Sequence, residues 1–391
     1  MNILFLIGSF CDFGGTERYV AALANALSSR GHSVGIASFR GHNNPDRFAV
    51  SKSVRVYELG RHPTNELRHI LMAGNVNVIV NNWCLPFYVT VTIDMARKGL
   101  GCCLVSYLHG MPDRCRRVIV AEDVLKACTN ELGRLFARAR LWAINAIVKA
   151  SIRFVYRRSD AYVLLSDRFK DSFQRYTGID DNGKLRAIGC PITIATDYQT
   201  NWLNVKKHQI LYVGRMDKEN KRVNRIVEVW EELCRSYGDA GDIESWELIL
   251  VGGGPHLEEL RQYVEEQKVP RVTFTGFVSE DPVRYYADAS IFVLTSDLEG
   301  FAMVLAEAMS YGVVPIVYGS YPTVRDIIDD GENGFITSYP YSHDETVARV
   351  RDLMRDDMLR RRMAISAIEK SKLFTLETIS EKWEGMLSQY A

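Results

Sequence analysis

The chain has no excess of charge of either sign. Its 48 Lys and Arg balance 48 Asp and Glu over 391 residues. No global field therefore draws it toward nucleic acid, and any cationic patch must be local. It lacks a run of about 20 apolar residues, the length a membrane-spanning helix needs. Its first residues, Met1-Asn2-Ile3-Leu4-Phe5-Leu6-Ile7, carry neither a basic leader nor a small-residue cleavage site. They read as a buried first strand rather than an export signal, and a cytosolic chain is expected. The eight Cys form no C-x-x-C pair. In a reducing compartment they are expected to serve packing, with no metal bound. No G-x-G-x-x-G is present, which disfavours a nicotinamide-dependent dehydrogenase. No Asp-x-Asp stands at a strand end, and tandem repeats and low-complexity tracts are missing.

What is present is an alternation of short apolar runs with helical patterns. Ile3–Ile7, Ser33–Ser38, Val54–Tyr57, Val76–Val80, Cys102–Leu108 and Ala161–Leu165 read as strands. The glycine-containing loop Gly8–Gly15 follows the first, and Thr16 is placed to cap a helix ending near Ser29. After a polar connector near Thr196–Lys207 the pattern restarts: Ile210–Val213, Trp246–Val251, Val272–Thr275, Ile291–Leu294 and Val314–Val317 are strands, with helices over Val223–Tyr237, Leu257–Glu266 and the run opened by Glu299. Strands alternating with helices imply parallel sheets covered on both faces. The expectation is an α/β chain of two Rossmann-like, doubly wound domains facing a central cleft. The domains are placed at 1–195 and 196–375, with a helix over 376–391 packing back toward the first. Such sheets place ligands at the carboxyl ends of their strands.

Several constellations fall at those ends. Glu299-Gly300-Phe301-Ala302-Met303-Val304-Leu305-Ala306-Glu307 separates two carboxylates by seven residues at a helix start. Free N–H groups near Phe301 and Ala302, with the helix dipole, suit a phosphate. Glu307 lies ~9 Å further along the axis, in reach of a ribose whose diphosphate sits at the helix start, and Glu299 can meet sugar hydroxyls. Read alone, the segment is equally an acidic helix start with an unrelated second Glu. Arg215, after the strand Ile210–Val213, and Lys221 can neutralise a diphosphate as it leaves, although Lys218 and Arg222 crowd the same loop and a solvated basic loop would look alike. Gly14-Gly15 at a strand-to-helix turn permits close approach of a ligand. His109 just past Leu108 can hydrogen-bond a sugar or an acceptor hydroxyl. Gly253, in a glycine-rich turn, and Phe277 are candidates for the nucleotide side. All of these lie at strand-to-loop junctions in one consistent order.

On these residues the chain resembles the retaining glycosyltransferases of family 4, of the GT-B fold, most strongly from Ile210 to Phe335. The resemblance implies that Glu299 and Glu307 form the E-x7-E motif, Glu307 binding ribose and Glu299 lying near the donor sugar. It implies that Arg215, Lys221 and the backbone of Phe301 and Ala302 hold the diphosphate, that Gly14 and Gly15 line the cleft, and that His109 contacts the sugar. No divalent metal or cofactor is implied; the donor is a nucleotide sugar, with UDP favoured over GDP, and the acceptor is a glycan or a lipid-linked glycan of bacterial surface polysaccharide. Three positions depart from the family: Ala302, where Gly or Pro is frequent, Arg222, where Gly is common, and Asp326, where Glu is usual.

The stretch Met111–Asp160 holds eleven Lys and Arg against five Asp and Glu, interleaved with apolar residues at helical spacing. It is a candidate for peripheral contact with an anionic membrane; a core face backed by solvated charges is the alternative. Rival functions are a GT-B-type nucleotide-sugar epimerase, for which only His109 and Glu299 offer acid–base groups, and a non-catalytic two-domain sugar-binding protein.

Overall fold

Apolar runs that are wet on neither face make parallel strands, and two sheets of this kind organise the chain. The computed structural model describes residues 1–10, 14–40, 48–196, 198, 200–237, 245–278 and 282–390. Two units contain them: Met1–Pro191 with Leu376–Ala391, and Ile192–Thr375.

The first unit carries β1 (Asn2–Ser9), α1 (Gly15–Ser29), β2 (Ser33–Arg40), β3 (Arg55–Glu58), α2 (Pro63–Ala73), β4 (Val78–Asn81), α3 (Phe87–Arg97), β5 (Cys103–Leu108), α4 (Arg116–Ala127), α5 (Glu131–Arg158), β6 (Ala161–Leu164), α6 (Lys170–Thr177) and β7 (Leu185–Ala187). The second carries β8 (Gln209–Val213), α7 (Val223–Tyr237), β9 (Glu247–Val251), α8 (Leu257–Glu266), β10 (Val272–Gly276), α9 (Val283–Asp288), β11 (Ile291–Leu294), α10 (Met303–Ser310), β12 (Val314–Tyr318), α11 (Val324–Ile327), β13 (Phe335–Thr337), α12 (His343–Arg355) and α13 (Asp357–Ser371). The last helix, α14 (Leu376–Leu387), belongs to the first unit.

The sheets run β3-β2-β1-β4-β5-β6-β7 and β10-β9-β8-β11-β12-β13, parallel throughout. Central strands such as β4, β6, β11 and β12 are buried along their whole length, whereas the edge strands β3 and β10 are open to solvent. Strand order reverses once in each sheet, between β1 and β4 and between β8 and β11. Open α/β sheets bind ligands at such a reversal, outside the carboxyl ends of the strands. The pairing of Ile291 and Phe292 with Ile210 and Leu211 sets the loops after β8 and β11 side by side.

Two expectations need correction. Thr16 does not cap α1. Gly14 holds the N-cap position in extended backbone, so the helix starts at Gly15 and Thr16 is inside its first turn. No side chain caps Gly14. The Glu17 carboxylate lies 2.0 Å from where a β-carbon on Gly14 would stand, so an acid faces the helix start, where the dipole favours it. The strands β7 and β13, three residues each, were not anticipated, being too short for a period to show. Cys11 and the middle of the Gly8–Gly15 loop lie outside the described residues, as do Asp197 and Gln199 of the connector.

The stretch Met111–Asp160 forms α4 and α5. Its apolar residues divide: Val118, Ile119 and Val148 are buried, while Leu132, Leu135, Phe136 and Trp142 stand exposed on α5, Trp142 at 75%. No helix among the described residues is long and apolar enough to cross a membrane.

Helix α14 packs its Ile379, Trp383, Met386 and Leu387 inward. The Trp383 ring meets Tyr107 edge-on, centroids 5.3 Å apart. Glu384 accepts from Arg30 Nε and His32 Nε2, both at 2.8 Å. Removing a buried indole costs roughly 3–5 kcal/mol, and exposed ion pairs add little. W383A should therefore strip amide protection from α1 and α14 in hydrogen exchange, and E384Q should leave it nearly intact. Equal effects of the two substitutions would show that the ion pairs, and not the ring, hold the tail.

Candidate active site

The loop after β8 is shaped by its own acid. Asp217 Oδ1 accepts from the amides of Asn220 and Lys221, at 2.8 and 2.9 Å. Tyr212 Oη donates to the Arg215 carbonyl at 2.8 Å and fixes the turn there. Of the four cations in this loop, two are spoken for by acids outside the Glu299–Glu307 segment. Lys218 pairs with Glu259 on α8, and Arg222 Nε with Asp297 at 2.6 Å. That leaves the two residues named from the sequence. Lys221 Nζ meets Glu299 Oε1 at 2.5 Å. Arg215 is exposed, and its guanidinium has no partner among the described residues.

The loop after β11 is tied to the loop after β8. The Asp297 amide donates to the Asn220 carbonyl at 2.8 Å, and its carboxylate also takes Arg225 Nη1 at 2.7 Å. From the loop after β12, Thr323 Oγ1 donates to the Gly300 carbonyl at 2.8 Å. Tyr321 sits beside Glu299 with a buried hydroxyl that finds no partner among the described residues; burial, and then the Glu299 charge, push its pKa well up. Asp297 and Tyr321 were missed from the sequence. The signal for Asp297 was a carboxylate facing two arginines across the loops; Tyr321 gave none.

Helix α10 starts at Met303, with Ala302 as its N-cap in left-handed backbone, φ 56°. Arg222 is left-handed too, φ 51°. Both residues thus sit in a conformation that Gly would adopt freely. The Phe301 ring is core, 5.5 Å from Phe374, so only its backbone is available to a ligand. Glu307 is 0% exposed. Its oxygens accept from Thr193 Oγ1 at 3.0 Å and Tyr286 Oη at 3.3 Å. A ribose would reach this carboxylate only by displacing one of those hydroxyls.

Gly253 and Phe277 are neighbours. The Gly252 amide donates to the Gly276 carbonyl at 3.0 Å, and Met216 N–H to the Gly253 carbonyl at 2.9 Å. A β-carbon on Gly252 would stand 1.9 Å from the Gly214 carbonyl oxygen, so the turn after β9 can lie against the Arg215 loop only as glycine. Phe277 keeps 56% of its surface exposed.

In the first unit, His109 follows β5 and packs against Tyr107 and Tyr19, centroids 4.2 and 5.0 Å away. Its Nε2 lies 2.8 Å from Asn82 Oδ1. Asn82 spends its amide nitrogen on the Val80 carbonyl at 3.1 Å, so Oδ1 faces the ring and Nε2 must carry the proton. Nδ1 is then an acceptor. Desolvation pushes the ring pKa down to about 3, so the ring is neutral at physiological pH. Gly14 and Gly15 lie at the other side of this sheet's reversal, after β1.

Two predictions follow from this geometry. Ala302→Gly relieves the left-handed strain and should stabilise the chain by up to about 1 kcal/mol; a lower denaturation midpoint would contradict the strain. The His109 ring should show no titration between pH 5 and 8 by NMR. Because its folded pKa lies below the ordinary value of ~6.5, the unfolded chain binds the extra proton. Stability should fall as pH drops from about 6.5 toward 3, and H109Q should blunt that fall.

Comparisons with known proteins agree with this architecture. Residues 13–195 match the family model for Glycosyltransferase Family 4, and residues 195–370 that for Glycosyl transferases group 1. The amylovoran biosynthesis glycosyltransferase AmsD of Erwinia amylovora is 23% identical, over 99% of both chains. A Campylobacter jejuni alpha-1,4-N-acetyl-D-galactosaminyltransferase, whose name gives an undecaprenol-linked glycan, is 21% identical over 100% of this chain and 99% of its own. Among solved structures, the lipopolysaccharide outer core galactosyltransferase WaaB is 18% identical with a TM-score of 0.68 over the whole of both chains. Anabaena Alr3699/HepE in complex with UDP-glucose is 16% identical with a TM-score of 0.71 over 99% of both. With two parallel-sheet units and each half matched by one of the paired family models, the chain belongs to glycosyltransferase family 4, of the GT-B fold.

Proposed function

We propose that this glycosyltransferase moves a hexosyl residue from a UDP-sugar to a glycan or lipid-linked acceptor in bacterial polysaccharide or lipopolysaccharide assembly, retaining anomeric configuration and using no divalent metal. One observation carries the reading. At the reversal point of the second sheet, the loop after β8 carries Arg215, unpaired among the described residues, and Lys221, held by Glu299 just ahead of α10, while the neighbouring cations are engaged elsewhere. A diphosphate seated there takes charge-assisted hydrogen bonds from Arg215 and Lys221 and lies on the positive end of α10. As the sugar departs, negative charge grows on the phosphate and both cations stabilise it, the task a metal performs in other transferases.

Glu299 accepts from the sugar's hydroxyls, and Gly253 and Phe277 flank the base. Glu307 takes the ribose once the Thr193 or Tyr286 hydroxyl gives way. Neutral His109 accepts a hydrogen bond through Nδ1 and orients the sugar. The UDP preference is supported by HepE, solved with UDP-glucose. The acceptor class is supported by the names of AmsD and the Campylobacter enzyme. The exposed apolar residues of α5, set among basic side chains, support contact of 111–160 with an anionic membrane.

The test is nucleotide release from a panel of UDP- and GDP-sugars, with and without a lipid-linked oligosaccharide. UDP release that rises with acceptor is expected. R215A and K221A should each lower kcat/KM roughly 10²–10³-fold. Release from GDP-sugars alone would overturn the donor; undiminished activity in both variants would overturn the site. Co-sedimentation with anionic vesicles at low salt should fall when Phe136 and Trp142 are changed to Ser, and equal partitioning onto neutral vesicles would argue against membrane contact.

A further inference from the structure

The second unit has a cavity at the opposite end of its sheet from Arg215 and Glu299. It measures about 340 Å³. It opens at the amino ends of the strands, where His208 precedes β8 and Ser290 precedes β11, and the first turn of α13 forms its other wall. Five residues of β8 separate the two ends, a span of ~17 Å at 3.3 Å per residue, so a ligand here cannot be part of a donor bound at the other end.

The lining is cationic beyond what its own acid answers. Arg361 directs both Nη atoms at the neutral Asn204 amide oxygen, at 3.1 and 3.2 Å, and has no carboxylate. Arg360 pairs with Asp357, the only carboxylate in the lining, and lies over the Trp246 ring at 5.1 Å. Lys206 is half-buried, and its ammonium donates to the Tyr286 carbonyl at 2.6 Å. The nearby Asp288 is taken by Lys207 at 2.8 Å. Three cations and His208 thus face one carboxylate around an open volume. Arg361 and His208 stand open to solvent at the mouth and Lys206 is half-buried, so a small dianion can supply acceptors that the protein withholds without displacing a carboxylate.

We infer that this cavity is a binding site for a small phosphate-type dianion, either free or as a phosphomonoester, separate from the nucleotide-sugar site. Arg361 offers a planar fork for two oxygens and Lys206 a point charge for a third. The volume exceeds that of the anion alone and leaves room for a small organic group against Leu203 and Ala364. The site is also joined to the proposed ribose carboxylate. Lys206 holds the Tyr286 carbonyl, and Tyr286 Oη donates to Glu307, so an anion drawing the ammonium toward itself acts on a residue that Glu307 uses.

The pH response has a definite sign. Burial pushes the Lys206 pKa down to about 7, and Asp288 only partly opposes it. Arg360, Arg361 and Asp357 from α13 and the titratable His208 before β8 line the same cavity. Sulfate stays a dianion over the whole range, so its binding reports the protein's protons alone. Binding should tighten as pH falls through 7, when Lys206 gains its proton.

The experiment uses the full chain carrying Arg215→Ala and Lys221→Ala, so that the donor-site cations do not contribute. Sulfate and a hexose 1-phosphate are titrated by calorimetry at pH 6 and pH 8. One saturable site is expected, tighter at pH 6 and weakened at least tenfold by Arg361→Gln, a surface change that spares the core. Lys206→Met in a His208→Gln background should abolish the pH dependence. Tighter binding of hexose 1-phosphate assigns a phosphomonoester; equal or weaker binding assigns a free inorganic anion. If neither probe binds, or if Arg361→Gln leaves the affinity unchanged, the inference fails. Because the assay runs without transfer, its failure is independent of the proposed reaction.

Discussion

Two strands on either side of a sheet's reversal point end about one strand spacing apart, ~4.8 Å, and beyond their last ladder bond nothing in the sheet holds the loops that follow. Asp297 supplies that hold in the second unit. Its carboxylate takes Arg222 and Arg225, and its amide donates to Asn220. Arg225 also donates to the Thr295 carbonyl at 2.9 Å and lies 4.4 Å over the Tyr341 ring. Single exposed ion pairs are worth little, but this set is a partly buried network backed by main-chain bonds. It also offsets a strained backbone, since left-handed Arg222 costs about 1–2 kcal/mol. The Lys221 backbone, the residue before it, is held by its amide bond to Asp217 Oδ1 at 2.9 Å.

The Lys221–Glu299 pair also changes what the site presents to an anion. A lone carboxylate beside the start of α10 would repel a phosphate. Paired with an ammonium at 2.5 Å, it contributes no net charge, and exposed Arg215 sets the local sign. On the proposed reading, an entering diphosphate must share or take Lys221 from Glu299, while Asp217 holds the Lys221 backbone amide in place. The turn after β9 completes the same corner, because Gly252 admits the Gly214 carbonyl at a distance that no β-carbon would allow.

The fold was legible because parallel strands buried on both faces leave continuous apolar runs, and β1, β5 and β8 are such runs. The spacing of Glu299 and Glu307 was legible for the same local reason, a strand end followed by a helix. What it could not give was the direction in which Glu307 points. Its burial against Thr193 and Tyr286 depends on residues 114 and 21 positions away in sequence. The ambiguity among Arg215, Lys218, Lys221 and Arg222 likewise needed tertiary partners, since Glu259 and Asp297 are distant in the chain and only their positions show which cations remain. Thr16 was misplaced because a Ser or Thr near a helix start reads as a cap, and here Gly14 in extended backbone took that position. The division of Met111–Asp160 into buried and exposed apolar residues is set by what packs on α5, which composition does not record.

The electrostatic character of these groups constrains where a proton can go in the proposed transfer. An acceptor hydroxyl must lose one as it attacks the sugar. His109 is held neutral by burial, and its Nε2 proton is committed to Asn82. With a pKa near 3 it is too weak a base to hold a proton at neutral pH. Glu299 is neutralised by Lys221, so taking the proton would mean giving up that ion pair just as Lys221 is needed by the departing phosphate. Lys221 and Arg215, as cations, have no site for it. In the retaining mechanism that the family resemblance implies, the base is the leaving diphosphate, whose charge grows as its bond to the sugar breaks. A front-face attack would put the acceptor beside that oxygen, so the shortage of a competent base among these side chains is what the proposed retention of configuration would require.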